Sequence, residues 1–278
     1  SRGLGDVYKR QDMDGTLLNE KKHIDKAQKE AIHEAIEAGI KIVLCTGRPL
    51  YGIFPFYEEL ELHELDLEGY VILNNGCSIH RTHDWELIDS AKMTADDIDY
   101  LYKCSEKKEG INFTLVDEKH YFNIGKKPTD ELIMDANFVF SDITDITLEE
   151  AKSGRYNIVK AMYLGNPKKM AEFHSNYENI LKENYSEVLS QPYVYEVLPK
   201  GNNKGTGLKA LVERLGIKQE EVMAIGDGNN DVEMLEYANY GVAMGNASKL
   251  VRNAAKYTTD TNENDGVAKA IRKYALKK

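Results

Sequence analysis

The sequence lacks any apolar run approaching the ~20 residues that a membrane-spanning helix requires. Its first eleven residues are polar and contain glycine, so the apolar segment of a signal peptide is missing as well. Basic residues are the minority among the charged ones, 36 against 46 acidic residues, and the formal net charge is −10. These features predict a cytoplasmic protein whose main partner is neither a membrane nor nucleic acid. A small phosphorylated metabolite is compatible with them, because a local site can be positive on an acidic surface.

Cysteine is also scarce. Cys45, Cys77 and Cys104 are widely spaced and include no CxxC pair, which favours buried thiols in a reducing compartment. No internal repeat or low-complexity segment stands out. Apolar material for a core is present, since 42% of the 278 residues are hydrophobic and 29% are charged. Such a chain is expected to be globular, with one large or two modest domains.

The first eighty residues alternate between helix and strand patterns. In IDKAQKEAIHEAIEAG (24–39), alanines and isoleucines recur at helical spacing before a glycine, which predicts a helix. The apolar runs in IKIVLCTGR (40–48) and GYVILNNG (69–76) each end in a polar turn, which is typical of buried parallel strands. This alternation predicts a parallel sheet with right-handed crossovers.

From about Trp85 the pattern changes. MTADDIDYLYKCSEKKEG (93–110) predicts a helix capped by Thr94, with Asp97 three residues on. Strands with short connections follow, and they surround a second helix that begins at a proline, in PKKMAEFHSNYENILKEN (167–184). We expect these strands to be half-buried and to belong to a separate α+β domain.

From about Gly201 the first pattern resumes. EEVMAIGDGNND (220–231) predicts a strand and its loop, and SKLVRNAAKYTT (248–259) predicts a closing helix. The expected fold is therefore a Rossmann-like α/β core with a parallel sheet, interrupted by an inserted α+β domain. The predicted limits are residues 1–83 and 196–278 for the two parts of the core and 84–195 for the insertion.

Four polar stretches follow predicted strands or begin predicted helices. They are DMDGT (12–16), CTGR (45–48), NNKGTG (202–207) and GDGNND (226–231). Ligands of open parallel sheets bind at the carboxyl ends of the strands, so the four stretches are expected to meet there. Each alone has a plain structural explanation, such as a solvated turn, a capping hydroxyl at Thr46 or a surface lysine at Lys204. Their joint order along the chain is what indicates a function.

The carboxylates in two of these stretches favour a divalent cation. DMDGT places Asp12 and Asp14 two residues apart, so both face the same side of an extended segment. Two charged carboxylates held together need a cation or a proton between them. GDGNND adds Asp227 and Asp231, and hard oxygen ligands in this number suit Mg²⁺. The EF-hand pattern does not fit, because its ligand spacing and terminal glutamate are absent.

These motifs resemble those of the haloacid dehalogenase (HAD) superfamily of phosphohydrolases. DMDGTLL is similar to the first motif of the superfamily, Thr46 to the second, Lys204 to the third and GDGNND to the fourth. The insertion resembles the large α+β cap, class IIB, of the Cof-type branch. The resemblance runs from Gln11 to Lys278, and four further stretches are similar to bacterial sugar-phosphate phosphatases of that branch: NNG (74–76), NKGTGLKAL (203–211), GVAMGNA (241–247) and NDGVAKAI (264–271).

The resemblance implies Mg²⁺-dependent hydrolysis of small phosphate monoesters, above all sugar phosphates. Asp12 is the implied nucleophile, which forms an aspartyl-phosphate, and Asp14 is the implied general acid and base. The implied metal ligands are the Asp12 carboxylate, the Asp14 carbonyl and Asp227, with Asp231 in support. The cation also lets an anionic carboxylate approach an anionic phosphate. The residues implied to hold the phosphoryl oxygens are Thr46, Gly47, Lys204 and Asn230.

The amino terminus departs from the family pattern. In this family the nucleophile follows a buried central strand, so apolar residues are expected before Asp12. The sequence instead has GDVYKRQ (5–11), with only Val7 and Tyr8 to contribute. Residues 1–11 resemble a translated adapter sequence that replaces the native first strand. We still expect part of this segment to pair in parallel on both sides, because backbone hydrogen bonds do not depend on the side chains.

Several alternatives stay open on the sequence alone. A phosphosugar mutase shares the motifs and a similar cap, and a nucleotide or pyridoxal-phosphate phosphatase also fits. A receiver-type signalling domain uses an aspartate, Mg²⁺, a threonine and a lysine, but its acceptor follows a middle strand and its domain has only about 120 residues. A non-catalytic sugar-phosphate binder is the alternative that the atypical first strand raises.

Substrate contacts and oligomeric state are less well indicated. Asn75 follows a core strand at the ligand edge, which places it near the substrate. Arg48 could contact an anionic substrate or form a salt bridge at the rim of a domain. Tyr193 and Tyr195 could line an entrance, but packing against one face of a strand is the commoner explanation of that spacing.

Overall fold

The computed structural model describes residues 8–11, 13–65 and 69–278. These residues form fourteen strands, which are β1 Tyr8–Gln11, β2 Lys41–Cys45, β3 Tyr70–Leu73, β4 Ser78–Arg81, β5 Leu87–Ser90, β6 Ile111–Val116, β7 Tyr121–Ile124, β8 Ile143–Ile146, β9 Lys160–Gly165, β10 Tyr185–Gln191, β11 Val194–Pro199, β12 Val222–Gly226, β13 Tyr240–Ala243 and β14 Tyr257–Thr258. They also form ten α-helices, which are α1 Lys26–Glu37, α2 Phe54–Glu59, α3 Ala95–Ser105, α4 Asp130–Phe138, α5 Leu148–Lys152, α6 Pro167–Asn184, α7 Lys204–Arg214, α8 Val232–Tyr237, α9 Lys249–Ala254 and α10 Gly266–Ala270.

The chain divides into two compact units. The first holds the residues up to Gly47 together with Pro55–Asp89 and Asn203–Lys278, and the second holds Arg48–Phe54 and Ser90–Asn202. The limits predicted for the insertion, residues 84 and 195, fall several residues earlier than these. The short segment Arg48–Phe54 belongs to the second unit, although the sequence placed it in the first.

The first unit is built on an eight-stranded sheet of order β14-β13-β12-β1-β2-β3-β4-β5. The six strands from β14 to β3 are all parallel to their neighbours, whereas β4 runs antiparallel to β3. The α/β prediction with a parallel sheet is thus confirmed. The antiparallel edge was not predicted, because β4 and β5 are four-residue strands with weak alternation.

Strand β1 lies at the centre of this sheet. It pairs in parallel with β12 on one side and β2 on the other, with Arg10 opposite Ala224 and Val43. The expected parallel pairing of the amino-terminal segment is therefore confirmed for residues 8–11. Residues 1–7 lie outside the described part of the chain.

Helices bury the apolar strands of the first unit. α1 packs against β2 and α10, while α7 and α8 pack against each other. One apolar cluster joins Ile72 and Ala224 of the sheet to Leu208, Leu211 and Leu235 of these helices, all of them buried. Each buried aliphatic side chain contributes about 1.5–3 kcal/mol, so this packing fixes the loops at the strand ends.

The second unit contains a six-stranded sheet of order β10-β11-β9-β6-β7-β8. Its pairs are antiparallel except for β7 and β8, which run parallel. The expectation of half-buried strands was wrong, because every residue of β6, β7 and β9 is buried. α3 and α6 cover one face, while α4 packs on the other, so neither face of the central strands is left to solvent.

Local signals placed two helices of the second unit, α3 and α6, correctly, whereas α4 and α5 were not predicted. Thr94 accepts a hydrogen bond from the backbone amide of Asp97, whose side chain caps it in return, so the predicted capping box is confirmed. Pro167 is the first residue of α6, as predicted. The closing helix was predicted too long: α9 ends at Ala254, because Ala255 is extended, and Tyr257–Thr258 pair with β13 instead.

The structure also bears on the expectations about the cysteines and about membrane-spanning helices. Cys45, Cys77 and Cys104 are all buried, as predicted. Within residues 13–65 and 69–278, no helix is both long enough and apolar enough to cross a membrane.

Candidate active site

The polar stretches singled out in the sequence follow strands of the parallel sheet. Thr46 comes directly after β2, Asn74 after β3 and Asp227 after β12. Lys204 is the first residue of α7. Since the carboxyl ends of parallel strands lie at one edge, these residues share that edge of the first unit. Asp12, the expected nucleophile, lies outside the described residues.

The loop after β12 is shaped by a buried ion pair. Lys204 Nζ donates to Asp231 Oδ1 over 2.7 Å, and both side chains are fully buried. The other oxygen, Oδ2, accepts the backbone amides of Asp227 and Gly228 at 3.0 and 2.9 Å. Removing one partner of such a buried pair typically costs about 3–5 kcal/mol. Lys204 and Asp231 therefore hold the loop in place, and their contact fixes the position of the Lys204 ammonium at the edge of the sheet.

Asp227 connects this loop to the one after β1. Its Oδ1 accepts a 2.6 Å hydrogen bond from the Thr16 hydroxyl, and Asn246 Nδ2 lies 3.4 Å from its Oδ2. The same Asn246 amide donates to the carbonyl of Gly15 at 2.8 Å. Gly15 has a φ of +80°, and a Cβ there would lie 2.3 Å from Asp227 Oδ2. Glycine is thus required for the close approach of the two loops.

The electrostatics of Asp227 point to a cation site. Burial raises the pKa of Asp227 to about 6, and the carboxylates of Asp231 and Asp14 add to this rise. The Thr16 hydroxyl and the Lys204 ammonium act in the opposite direction. A buried carboxylate among like charges is stabilised by a nearby cation, and a set of oxygen donors suits Mg²⁺. The residues present therefore fit a divalent metal ion.

A chain of contacts runs from the second motif to the fourth. The carbonyl of Thr46 accepts the Asn75 amide at 3.1 Å, and Asn75 Oδ1 accepts Asn230 Nδ2 at 2.9 Å. A Cβ at Gly47 would lie 3.0 Å from the same Asn75 oxygen, so these residues are neighbours. Asn75 has a φ of +55°, in the left-handed region that asparagine tolerates. The structure thus brings Thr46, Gly47, Asn75 and Asn230 together, as the sequence predicted.

The start of α7 is held against the turn after β3. Gly76 has a φ of +95°, and a Cβ there would lie 2.0 Å from the carbonyl oxygen of Asn203. Asn203 caps the helix by accepting the Thr206 amide at 2.8 Å. The absence of a side chain at Gly76 therefore lets the helix begin where Lys204 can reach Asp231.

Asp14 and Arg48, two of the predicted site residues, contact residues outside the four motifs. The Asp14 carboxylate accepts a 3.0 Å hydrogen bond from Lys22 Nζ, and the two side chains form an ion pair. Arg48 belongs to the second unit, where its guanidinium donates to the carbonyl of Phe138 at 2.9 Å and lies 4.1 Å from the centre of the Phe138 ring. The role of Arg48 in substrate binding stays a prediction.

The two tyrosines near the end of the insertion pack in different places. Tyr195 is fully buried in the cluster beneath α3 and α6, whereas Tyr193 packs on the α4 side. The two side chains pack in different clusters, and Tyr193 precedes β11, which begins at Val194. For Tyr195, packing on the strand face is the explanation that the structure supports.

Sequence reasoning assigned no role to two polar residues of this site. Thr16 lies within the first motif, and its contact to Asp227 joins residues that are 211 positions apart. Asn246 lies in GVAMGNA, a stretch already noticed as family-like, and it bridges Gly15 and Asp227. Its presence after the strand β13, at the same edge of the sheet, was the signal that could have identified it.

An α/β core that gathers acidic loops and a buried lysine at one edge of a parallel sheet defines a phosphohydrolase of the HAD class. The chain belongs to the haloacid dehalogenase-like hydrolase family, whose sequence profile matches residues 11–271. The predicted resemblance and the predicted fold class are both confirmed.

Relatives and solved structures agree with this family. The chain is 36% identical over 273 residues to YxeH of Bacillus subtilis (strain 168), which carries a provisional phosphatase name, and the match covers 96% of this chain and 97% of the relative. It is 33% identical over 267 residues to YcsE of the same organism, a 5-amino-6-(5-phospho-D-ribitylamino)uracil phosphatase, with 95% and 94% covered.

A crystal structure of a haloacid dehalogenase-like hydrolase from Bacteroides thetaiotaomicron superposes with a TM-score of 0.85 at 31% identity, over 96% of this chain and 99% of the other. The subclass IIB sugar phosphatase BT4131 superposes with a TM-score of 0.81 at 27% identity, over 97% and 99%. Together with the family, these similarities support phosphatase activity.

Proposed function

We propose that this protein is a Mg²⁺-dependent phosphatase of small sugar or sugar-alcohol phosphates, acting through an aspartyl-phosphate at Asp12. The observation that carries the proposal is the hydrogen-bonded set of Lys204, Asp227 and Asp231, which lies with Thr46 at the carboxyl edge of the parallel sheet. This set offers a phosphate both a positive charge and polar donors, together with carboxylates for a metal ion.

Each side chain has a proposed task that follows from its surroundings. Lys204, fixed by Asp231, and the Thr46 hydroxyl hold the phosphoryl oxygens, with Asn230 and the Gly47 amide beside them. Asp12 attacks phosphorus, and Asp14 protonates the leaving oxygen and then takes a proton from the attacking water. The two oxygens of Asp231 are already bonded to Lys204 and to backbone amides, so we assign Asp231 to positioning of the metal loop.

The metal ion is proposed to bind to the Asp12 carboxylate, the Asp14 carbonyl and the Asp227 carboxylate. When bound, Mg²⁺ neutralises charge between the nucleophile and the phosphate. Thr16 and Asn246 orient Asp227 through its two oxygens, so the carboxylate needs little reorganisation to accept the ion.

We propose the substrate class from the substrates that the names of two similar proteins describe. BT4131 is a sugar phosphatase, and YcsE acts on a phosphorylated ribitylamino compound, so both names describe a phosphate monoester of a polyhydroxylated carbon chain. The YcsE name makes a ribitylamino-pyrimidine phosphate the second candidate substrate. A phosphosugar mutase with the same motifs is the remaining alternative from the sequence.

A phosphate-release assay tests these assignments directly. The panel contains hexose and pentose phosphates, the phosphoribitylamino-uracil, a nucleoside monophosphate and pyridoxal phosphate, each with Mg²⁺. We expect the highest kcat/KM on a sugar or ribityl phosphate. Isomerised sugar phosphate without phosphate release would show a mutase, and binding without either product would show a non-catalytic protein.

Asp14→Asn is expected to lower kcat by about 10²–10⁴-fold, the usual contribution of general acid–base catalysis. Substrate binding should persist, because the amide keeps the size of the side chain. The check is a pH–rate profile: a limb that belongs to Asp14 should disappear in the variant. A profile identical to that of the parent would contradict the assignment, and Asp89→Asn, an exposed carboxylate of strand β5, is the matched control.

Chelation is expected to abolish turnover, and added Mg²⁺ to restore it. Ca²⁺ should not replace it, because its looser and higher coordination disturbs in-line geometry. Asp227→Ala should raise the Mg²⁺ concentration for half-maximal rate at least tenfold, whereas Asp89→Ala should leave it unchanged. Full activity of the parent in excess EDTA would show that the carboxylate cluster has another purpose.

A further inference from the structure

A second group of metal-type side chains lies in the second unit, where the proposed chemistry does not use it. His174 and Glu178 are one turn apart on α6, and Glu187 faces them from β10. One ligand atom from each of the three lies within 4.8 Å of the other two. All three side chains are partly accessible, at 21%, 35% and 10% of their full exposure, so an ion can reach them from solvent.

The carboxylate oxygens divide between two neighbours. One oxygen of Glu178 and one of Glu187 are held by Lys182, whose Nζ lies 3.3 Å from Glu187 Oε1 and also contacts Glu178 Oε1. The second oxygens both turn to His174, with Glu187 Oε2 3.5 Å from Nε2 and Glu178 Oε2 3.9 Å from Nδ1. A tetrahedral Zn²⁺ ion with bonds of about 2.0–2.2 Å holds its ligand atoms roughly 3.3–3.5 Å apart. The distance between His174 Nε2 and Glu187 Oε2 already matches, whereas Glu178 lies nearer Nδ1 and must move to join the same ion.

A buried polar atom lies beneath this cluster. Tyr195 is fully buried, its ring meets His174 edge to face at 4.7 Å, and its hydroxyl has no hydrogen-bond partner among the described residues. A buried hydroxyl that makes no hydrogen bond is unfavourable. A water molecule or Glu187 in a metal sphere would accept a hydrogen bond from this hydroxyl.

We propose that His174, Glu178 and Glu187 form a second metal site, for a first-row divalent ion such as Zn²⁺, with Tyr195 donating to its outer sphere. One imidazole nitrogen and two carboxylates suit Zn²⁺ better than Mg²⁺ or Ca²⁺, which prefer oxygen ligands. The i, i+4 spacing of His174 and Glu178 puts two ligands on one helical face. Lys182 competes with the ion for the carboxylates, so the site is expected to be weakened by that lysine.

The test is Zn²⁺ titration of the metal-stripped full chain by calorimetry, in excess Mg²⁺ so that the proposed catalytic site is already filled. The parent is expected to bind one equivalent of Zn²⁺ more tightly than His174→Gln and Glu187→Gln, by at least tenfold. Lys182→Met should bind it more tightly than the parent. His83→Gln, which removes an exposed histidine of the first unit, is the matched control and should behave as the parent does.

If the three side chains only form ion pairs with Lys182 and with one another, the substitutions should leave the Zn²⁺ affinity unchanged. Equal Zn²⁺ affinity in the parent, His174→Gln and Glu187→Gln would overturn the proposal, as would Lys182→Met binding no better than the parent. A measurement on the parent alone does not depend on whether the substituted chains fold. Anomalous diffraction at the zinc edge, from crystals of the parent grown with Zn²⁺, should give a peak beside His174 Nε2, and a peak elsewhere alone would also refute the site.

Discussion

Replacing Asp12 with asparagine is expected to reduce kcat by on the order of 10⁴-fold or more, the scale seen when a covalent nucleophile is removed. The amide attacks phosphorus poorly, so the first half of the proposed reaction has no route. It also carries no charge, so one proposed metal ligand loses its attraction for the cation. The measurement is phosphate release from the best substrate of the panel, with substrate binding followed separately by calorimetry.

The fold should survive this change, because the amide is isosteric with the carboxylate and adds no volume. Thermal unfolding of Asp12→Asn is expected to match that of the parent, and Asp89→Asn should keep both stability and rate. Turnover of Asp12→Asn within tenfold of the parent would refute the nucleophile assignment. It would leave the metal prediction standing, because that prediction is tested through Asp227.

The second large effect concerns stability. Replacing residues 6–11 with Ile-Lys-Leu-Ile-Ala-Ile is expected to raise the free energy of unfolding by several kcal/mol. In the observed register, β1 lies between β12 and β2, and its neighbours Met223, Ala224 and Val43 are buried apolar residues. An apolar side chain gains about 1.5–3 kcal/mol in such surroundings, whereas an unpaired charge is costly there. Turnover should rise too, because β1 leads directly into Asp12.

The control for this change is an apolar substitution on an edge strand. Asp89→Leu places a leucine at an exposed position of β5, so it should change the stability by much less. Thermal and denaturant unfolding measure both variants. If the strand replacement changed neither the unfolding midpoint nor the rate, the polar residues 8–11 would be an adequate central strand, and the idea of a foreign segment would be wrong.

Local signals gave most of the secondary structure. A capping box at Thr94, a proline at the start of α6 and apolar runs before polar turns depend only on residues a few positions apart. They could therefore be recognised without knowing what packs around them. The same holds for the motif residues, since a strand end and a helix start are local features and α/β topology brings strand ends to one edge.

The burial of the strands could not be predicted from these local signals. Strand β6 carries Asn112 and Thr114 at alternate positions, which is the pattern of a strand with one solvated face, and β9 begins with the charged residue Lys160. In the structure all three residues are buried, and Lys160 pairs with Glu196 of the neighbouring strand at 2.9 Å. A strand partner that neutralises the charge is invisible in the sequence of one strand.

The sequence by itself determined the class of fold, the family and the candidate residues of the site, because each depends on residue type and short-range spacing. Only the tertiary structure decided what those residues do to one another. It turned Lys204 into the buried partner of Asp231 and made Asn246 a bridge between Gly15 and Asp227. Such contacts join positions up to 231 residues apart. They arise from strand order and helix packing, and no periodicity along the chain encodes them.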